Sequence, residues 1–171
     1  VREIRRKREA EELFEAIHTG HSVYATVHAN DAKETITRLT NPPIEIPKTM
    51  IPAISMVVVQ YRNRRTGVRK TFQIAEIMPD SEPNVLLQLD IRKGVLQKVA
   101  NSKSLMNTIE MFTGFTRSEI IKSLNEKTVV LKWLAKQNIN TVDTVGRMMA
   151  EYYTNKDNLM NFVKKNKPFS D

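Results

Sequence analysis

Cysteine is absent from the chain, which excludes a disulfide framework and any thiolate-ligated metal and fits a reducing compartment. Long apolar runs are missing too. Nothing approaches the roughly 20 residues needed to cross a bilayer, and the first residues mix basic and acidic side chains where a signal peptide has an apolar stretch. A cytoplasmic location is the expectation. Position 1 carries Val1 and no initiating methionine, which predicts a fragment or a processed product. What is present is 171 residues, 40% hydrophobic and 27% charged. That is enough for one core, or an incomplete core with a satellite, and too apolar for overall disorder.

The formal charge of +8 raises a nucleic-acid reading, because clustered Lys and Arg displace counterions from phosphate backbones. Clustering is the test. The chain has 13 basic against 10 acidic residues up to Asp80 and 14 against 9 after it, so the excess is spread over both halves and a generic basic surface accounts for it. The densest stretches are Arg5 to Arg8, Arg62 to Lys70 and Lys164 to Lys167, each the kind of run that usually forms a solvated face or turn.

Apolar residues recur at helical spacing from Arg6 to Thr19 and stop at Gly20, a helix-ending signal. Val23 to Val27 reads as a short strand covered on both faces, as in an α/β sheet. Asp31 with Glu34 forms a capping box that opens a helix through Leu39, closed before Pro42 and Pro43. Lys48 to Ser55 predicts one more short helix. Met56 to Tyr61 and Val68 to Ile77 then form a hairpin around the turn ending at Gly67, and Asn84 to Ile91 with Val95 to Val99 form a second around Gly94. From Ser102 onward the period is helical. Leu105, Ile109 and Phe112 lie on one helix. Thr116 and Glu119 cap the next, whose stripe is read as Ile120, Ile121, Leu124, Leu131, Leu134 and Ala135, with Val130 and Trp133 on a second face. That second face is expected to pack on the domain before it or on the preceding helix, or to leave Trp133 half-exposed. Thr141 caps a further helix with Val142, Val145, Met148, Met149 and Tyr152.

Chemistry-bearing residues concentrate at the start. His18, His21 and His28 are the chain's three histidines, and their spacing does not set three imidazoles around one ion, so no metal site is expected. His28 follows a strand, and ligands collect beyond the carboxyl ends of strands in open α/β sheets. Glu3 precedes a helix directly and so takes the same position on a neighbouring strand. An acid and a histidine there face one crevice, an arrangement used to orient water and sense a terminal phosphate in nucleotide hydrolysis. The plainer alternatives, an exposed terminal carboxylate and a capping histidine, stand beside this reading.

The blocks Glu3-Ile4-Arg5, Thr19-Gly20-His21, Ala25-Thr26-Val27-His28-Ala29-Asn30-Asp31 and Thr37-Arg38-Leu39 resemble, in order and spacing, the Walker B and histidine-box region of the secretion ATPases. That family drives type II and type IV secretion, type IV pilus movement and archaellum assembly. The stretch Asn41 to Lys48, the hairpin after it and the helical end resemble its archaeal branch. The resemblance implies that Glu3 is the water-orienting glutamate and His28 the histidine-box residue near the terminal phosphate. It implies supporting roles at the nucleotide site or an intersubunit surface for Arg5, His21 and Arg38. Two positions depart from the family pattern: Arg2 stands where glycine is usual, and Arg6 where glycine or aspartate is common.

A phosphate-binding loop needs Gly-x-x-x-x-Gly-Lys followed by Ser or Thr, and no stretch fits. Gly67 to Thr71 lacks the second glycine and the strand-to-helix setting. The expected architecture is thus α/β: the carboxyl-terminal half of a RecA-like ATPase core with β-hairpins over residues 1–100, then a small helical bundle over residues 101–171. The resemblance implies a parent that is a homo-hexamer on the cytoplasmic face of a membrane, using ATP and Mg2+ and acting on a polytopic platform protein. The chain by itself is expected to bind neither cofactor and to hydrolyse nothing. Two other classes remain open, a regulatory docking module and a basic nucleic-acid-binding domain.

Overall fold

The computed structural model describes residues 2–169, and the side chain of Arg2 lies outside what it describes. The chain divides into two units, Val1–Thr108 and Ile109–Asp171.

The first unit opens with a two-residue strand, β1 (Arg2–Glu3), then α1 (Lys7–His18), β2 (Ala25–Thr26) and α2 (Ala32–Thr40). β1 and β2 run parallel, with Glu3 opposite Thr26, and the amide of Ile4 donates to the Thr26 carbonyl at 2.8 Å. The α1 sequence buries Ala10 and Phe14, one turn apart on the same face. Glu9 receives the amides of Arg5 and Arg6 and closes its first turn. These side chains meet Ile4, Leu39, Ile44, Ile46, Ile51 and Ile77 in one core. The strand expected over Val23 to Val27 is shorter than its apolar content suggested. Both residues of β2 are exposed and Tyr24 is 78% exposed. Among the described residues β2 pairs only with β1, and Val27 just beyond it packs against the core. Lys48–Ala53 is a 3-10 helix, as befits a short segment interrupted by Pro52.

Four strands follow: β3 (Met56–Arg62), β4 (Arg69–Ile77), β5 (Pro83–Asp90) and β6 (Val95–Lys98). The two hairpins read from the sequence are joined edge to edge into one antiparallel sheet of order β3-β4-β5-β6. A tight turn makes the join: the amide of Met78 donates to the Glu82 carbonyl and that of Ser81 to Met78. The Ser81 hydroxyl also donates to the Lys48 carbonyl at 2.8 Å, tying the sheet to the 3-10 helix.

Glu76, in the middle of the apolar β4 run, is fully buried. Its carboxylate accepts hydrogen bonds from the Asn84 amide and Ser102 hydroxyl and from the backbone amides of Lys103 and Leu105, at 2.7 to 3.0 Å. The last two lie at the start of α3 (Ser104–Thr113), where orphan amides and the helix dipole favour an anion. Burial pushes the Glu76 pKa up, but the four donors together outweigh it and hold it down at about 2.

The second unit contains α4 (Arg117–Lys136), α5 (Val142–Thr154) and α6 (Lys156–Lys165). Thr116 and Glu119 form the expected capping box, and Thr141 caps α5. The stripe read for α4 needs correction. Ile120 and Leu134 of that stripe are buried, but the other buried positions are Val130 and Trp133, which together with Leu134 pack among Met148, Tyr152, Leu159 and Val163. Ile121, Leu124 and Leu131 are each more than half exposed. The spacing explains the error, because positions 126, 130, 133, 134 and 137 share one helix face and 121, 124, 131 and 135 another. The first set carries the contacts: Glu126 accepts the Tyr152 hydroxyl, the Trp133 indole donates to the Lys167 carbonyl at 3.0 Å, and Gln137 reaches the Asn166 carbonyl. Burial and the Glu126 carboxylate push the Tyr152 phenol up to about 12. Trp133 therefore anchors the bundle's own core. Trp133→Ala is expected to cost about 3 to 5 kcal/mol, measured by denaturant unfolding of this unit's transition. A loss below about 1 kcal/mol contradicts that packing.

Candidate active site

Glu3 ends β1, and His28 lies two residues beyond the end of the parallel strand β2. Nε2 of His28 lies 2.8 Å from Oε1 of Glu3, and Nη2 of Arg5 lies 2.6 Å from Oε2. The hydrogen bond from Arg5 is the main reason the Glu3 pKa is held below its ordinary value, with burial opposing and the charges of Arg5 and His28 adding to it. The carboxylate is thus an anion at neutral pH. Its two oxygens differ. Oε2 is satisfied by Arg5, whereas Oε1 is buried, has no hydrogen bond of good geometry among the described residues and has the His28 ring as its ion-pair neighbour. The His28 side chain is 84% exposed. A carboxylate held ionised beside an exposed imidazole is an acid-base pair that can act on a small molecule reaching the exposed His28 side.

Local sequence explains the placement. Gly20 ends α1 with φ of +84°, a conformation only glycine adopts without strain, and turns the chain back toward β2. The Thr19 hydroxyl lies 3.0 Å from the Glu15 and Ala16 carbonyls, either of which can accept from it, and 3.0 Å from Nδ1 of His21, with which it shares a hydrogen bond. His21 therefore stabilises this turn. Beyond His28, Asp31 caps α2 through the Glu34 amide, and Glu34 accepts from both the amide and the side chain of Asn30. Arg38 is held by Glu34 one turn back, at 2.7 Å. The structure brings Glu3, Arg5 and His28 together. His21 and Arg38 are engaged elsewhere, within their own turn and helix.

Sequence reasoning missed Gln73. Its side-chain oxygen accepts the amide of Ala32, the first residue of α2, at 2.9 Å, and its nitrogen donates to Gln88 at 2.7 Å. The antiparallel sheet thereby fixes the segment that carries His28. The signal was a lone amide in a β-rich run, visible only once strand register is known.

Comparisons extend the picture. An uncharacterized protein of Methanocaldococcus jannaschii is 28% identical over 147 residues, which cover 81% of this chain and 20% of that relative. A second from the same organism is 30% identical over 154 residues, 86% of this chain and 57% of the relative. A third is 34% identical over 71 residues. The chain thus spans between a fifth and three fifths of the length of the first two. Residues 1–66, the stretch that holds Glu3, Arg5 and His28, match the family described as Type II/IV secretion system protein, and this match supports the secretion-ATPase family as the one this chain resembles.

Proposed function

We propose that the chain is part of a RecA-like ATPase motor of the secretion and filament-assembly class, in its archaeal branch, and that Glu3 and His28 form the terminal-phosphate end of its nucleotide site. The observation that carries the reading is the pairing of Glu3 with His28 beyond two parallel strands, Oε1 lying 2.8 Å from Nε2. The family match over the same residues and the Methanocaldococcus relatives support it.

The residues fit one end of a nucleoside triphosphate. Oε1 of Glu3 accepts a hydrogen bond from the attacking water and orients its lone pair, Arg5 keeps the carboxylate ionised and still, and the His28 imidazole donates to an oxygen of the terminal phosphate. ATP with Mg2+, when bound, supplies the phosphoryl group and the metal's charge. Nothing in the sequence supplies the amide-lined loop and lysine that hold the other phosphates. Hexameric assembly, action on a membrane platform protein and residence at the cytoplasmic membrane face belong to the same proposal. No helix among the described residues is long and apolar enough to cross a membrane.

Because phosphate positioning supplies most of the rate in phosphoryl transfer, the purified 171-residue chain is expected to show no Mg2+-dependent ATP turnover above a buffer blank. Robust hydrolysis by this chain contradicts the assignment of a half-site.

A further inference from the structure

The basic stretch from Arg62 to Lys70 and the pair Arg92-Lys93 lie far apart in sequence, yet the meander turns both to one end of the sheet. β3 and β4 pair through Arg62 opposite Arg69, and β5 and β6 through Asp90 opposite Val95. Lys70 bridges the two turns, its ammonium donating to the Gly94 carbonyl at 2.6 Å. The turns share one construction. Asn63 accepts the amides of Arg65 and Thr66, Asp90 accepts those of Arg92 and Lys93, and Gly67 and Gly94 close them at positive φ. Rigid turns therefore present Arg62, Arg64, Arg65, Arg69, Arg92 and Lys93 to solvent. The five arginines make no ion pair among the described residues, and the one acid at this end, Asp90, is occupied by the turn it builds and by Lys93. Three aliphatic side chains stand among the cations: Val68, Ile91 and Val95 are 45%, 58% and 57% exposed.

We propose that this end of the sheet is a contact for an anionic lipid surface. Phosphate headgroups complement the unpaired guanidinium groups, and Val68, Ile91 and Val95 enter the headgroup-acyl boundary, the pairing of basic and apolar side chains that holds proteins in a membrane interface. A nucleic acid is the weaker fit. The two turns carry no aromatic side chain on which single strands can stack; Tyr61 and Phe72 pack on each other at 6.2 Å within the strands. The proposal does not depend on the ATPase reading, since the contact needs no nucleotide.

Sedimentation of the chain with phosphatidylcholine vesicles, with and without phosphatidylglycerol and in the absence of nucleotide, tests it. Binding is expected only to the phosphatidylglycerol vesicles, weakening with salt. Near a charged membrane each basic residue contributes about 1 kcal/mol, so the double variant Arg64→Ala/Arg65→Ala lowers the partition coefficient about 30-fold. Ile91→Ser lowers it with no change in charge. Lys164→Ala/Lys165→Ala, which removes the same charge from the end of α6, leaves it within about threefold. The proposal is overturned by absence of binding to phosphatidylglycerol, by an equal loss in the α6 variant, or by duplex DNA binding as tightly as vesicles with no effect of Ile91→Ser.

Discussion

Glu3→Gln, in a protein that carries this chain behind a phosphate-binding loop, is expected to keep ATP affinity within a few-fold and to slow hydrolysis by about 100- to 10,000-fold. That is the usual range for loss of a positioned acid-base group. Gln preserves the size of the side chain and can still meet Arg5 through its carbonyl, but it removes the anionic lone pair on Oε1, the oxygen that has no other aligned partner. Single-turnover hydrolysis with radiolabelled ATP separates the two quantities, because binding is read from the amount of complex and chemistry from the decay. A normal rate in the Gln variant means that another group orients the water. Since Arg5 holds Glu3 below its ordinary pKa, the acid limb of the wild-type rate profile is expected to lie below the range of a free glutamate.

The second large effect belongs to a residue with no part in that chemistry. Glu76 is buried with four donors aimed at its carboxylate, and its pKa falls from 4.5 to about 2. A carboxylate depressed in the folded state contributes stability that is fully present above the unfolded value of 4.5 and is lost as pH falls through the folded one. The contribution is on the order of 3 kcal/mol. Glu76→Gln is expected to destabilise the first unit by about 2 to 4 kcal/mol at neutral pH, because it replaces one accepting oxygen by an amide NH2 that faces the donors around the carboxylate and removes the charge they stabilise. Its stability also becomes flatter between pH 5 and pH 2 than that of the wild type. Urea unfolding at several pH values reads both. A change below about 0.5 kcal/mol with an unaltered acid limb contradicts the role given to the carboxylate.

The helices were legible in the sequence because local chemistry determines them. Asp31, Thr116 and Thr141 cap the helices they were expected to cap, and Gly20 ends α1. The antiparallel strands were legible from their turn residues. Less legible was anything that depends on which elements meet. The stripe on α4 merged two faces because both are rich in aliphatic residues, and only the partners Tyr152, Leu159 and Val163 distinguish them. Val23 to Val27 looked like a strand covered on both faces, but only Val27 packs against the core, while Tyr24, Ala25 and Thr26 are exposed. Glu76 and Gln73 are invisible to periodicity, since each is a polar residue inside a strand whose use appears only when Ser102, Leu105 or Ala32 arrives from elsewhere.

At the candidate site the sequence identified Glu3 and His28 from their positions after strands, and the parallel register of β1 and β2 brings the two side chains within 2.8 Å. Their roles toward a nucleotide rest on the proposal. His21 and Arg38 carry local bonds that explain their presence without a ligand. The basic end of the sheet went unread because its two halves are separated by two strands and a turn in sequence and share a surface only in the meander.

The central claim is that Glu3 and His28 act on the same phosphoryl group as one unit, and a double-mutant cycle addresses it directly. Single-turnover ATP hydrolysis is measured for the loop-bearing protein with Glu3→Gln, with His28→Ala and with both. Groups that serve one transition state are strongly non-additive, so the double variant is expected to be about as slow as the slower single variant. Two independent losses that simply multiply, or a normal rate in either single variant, contradict the account.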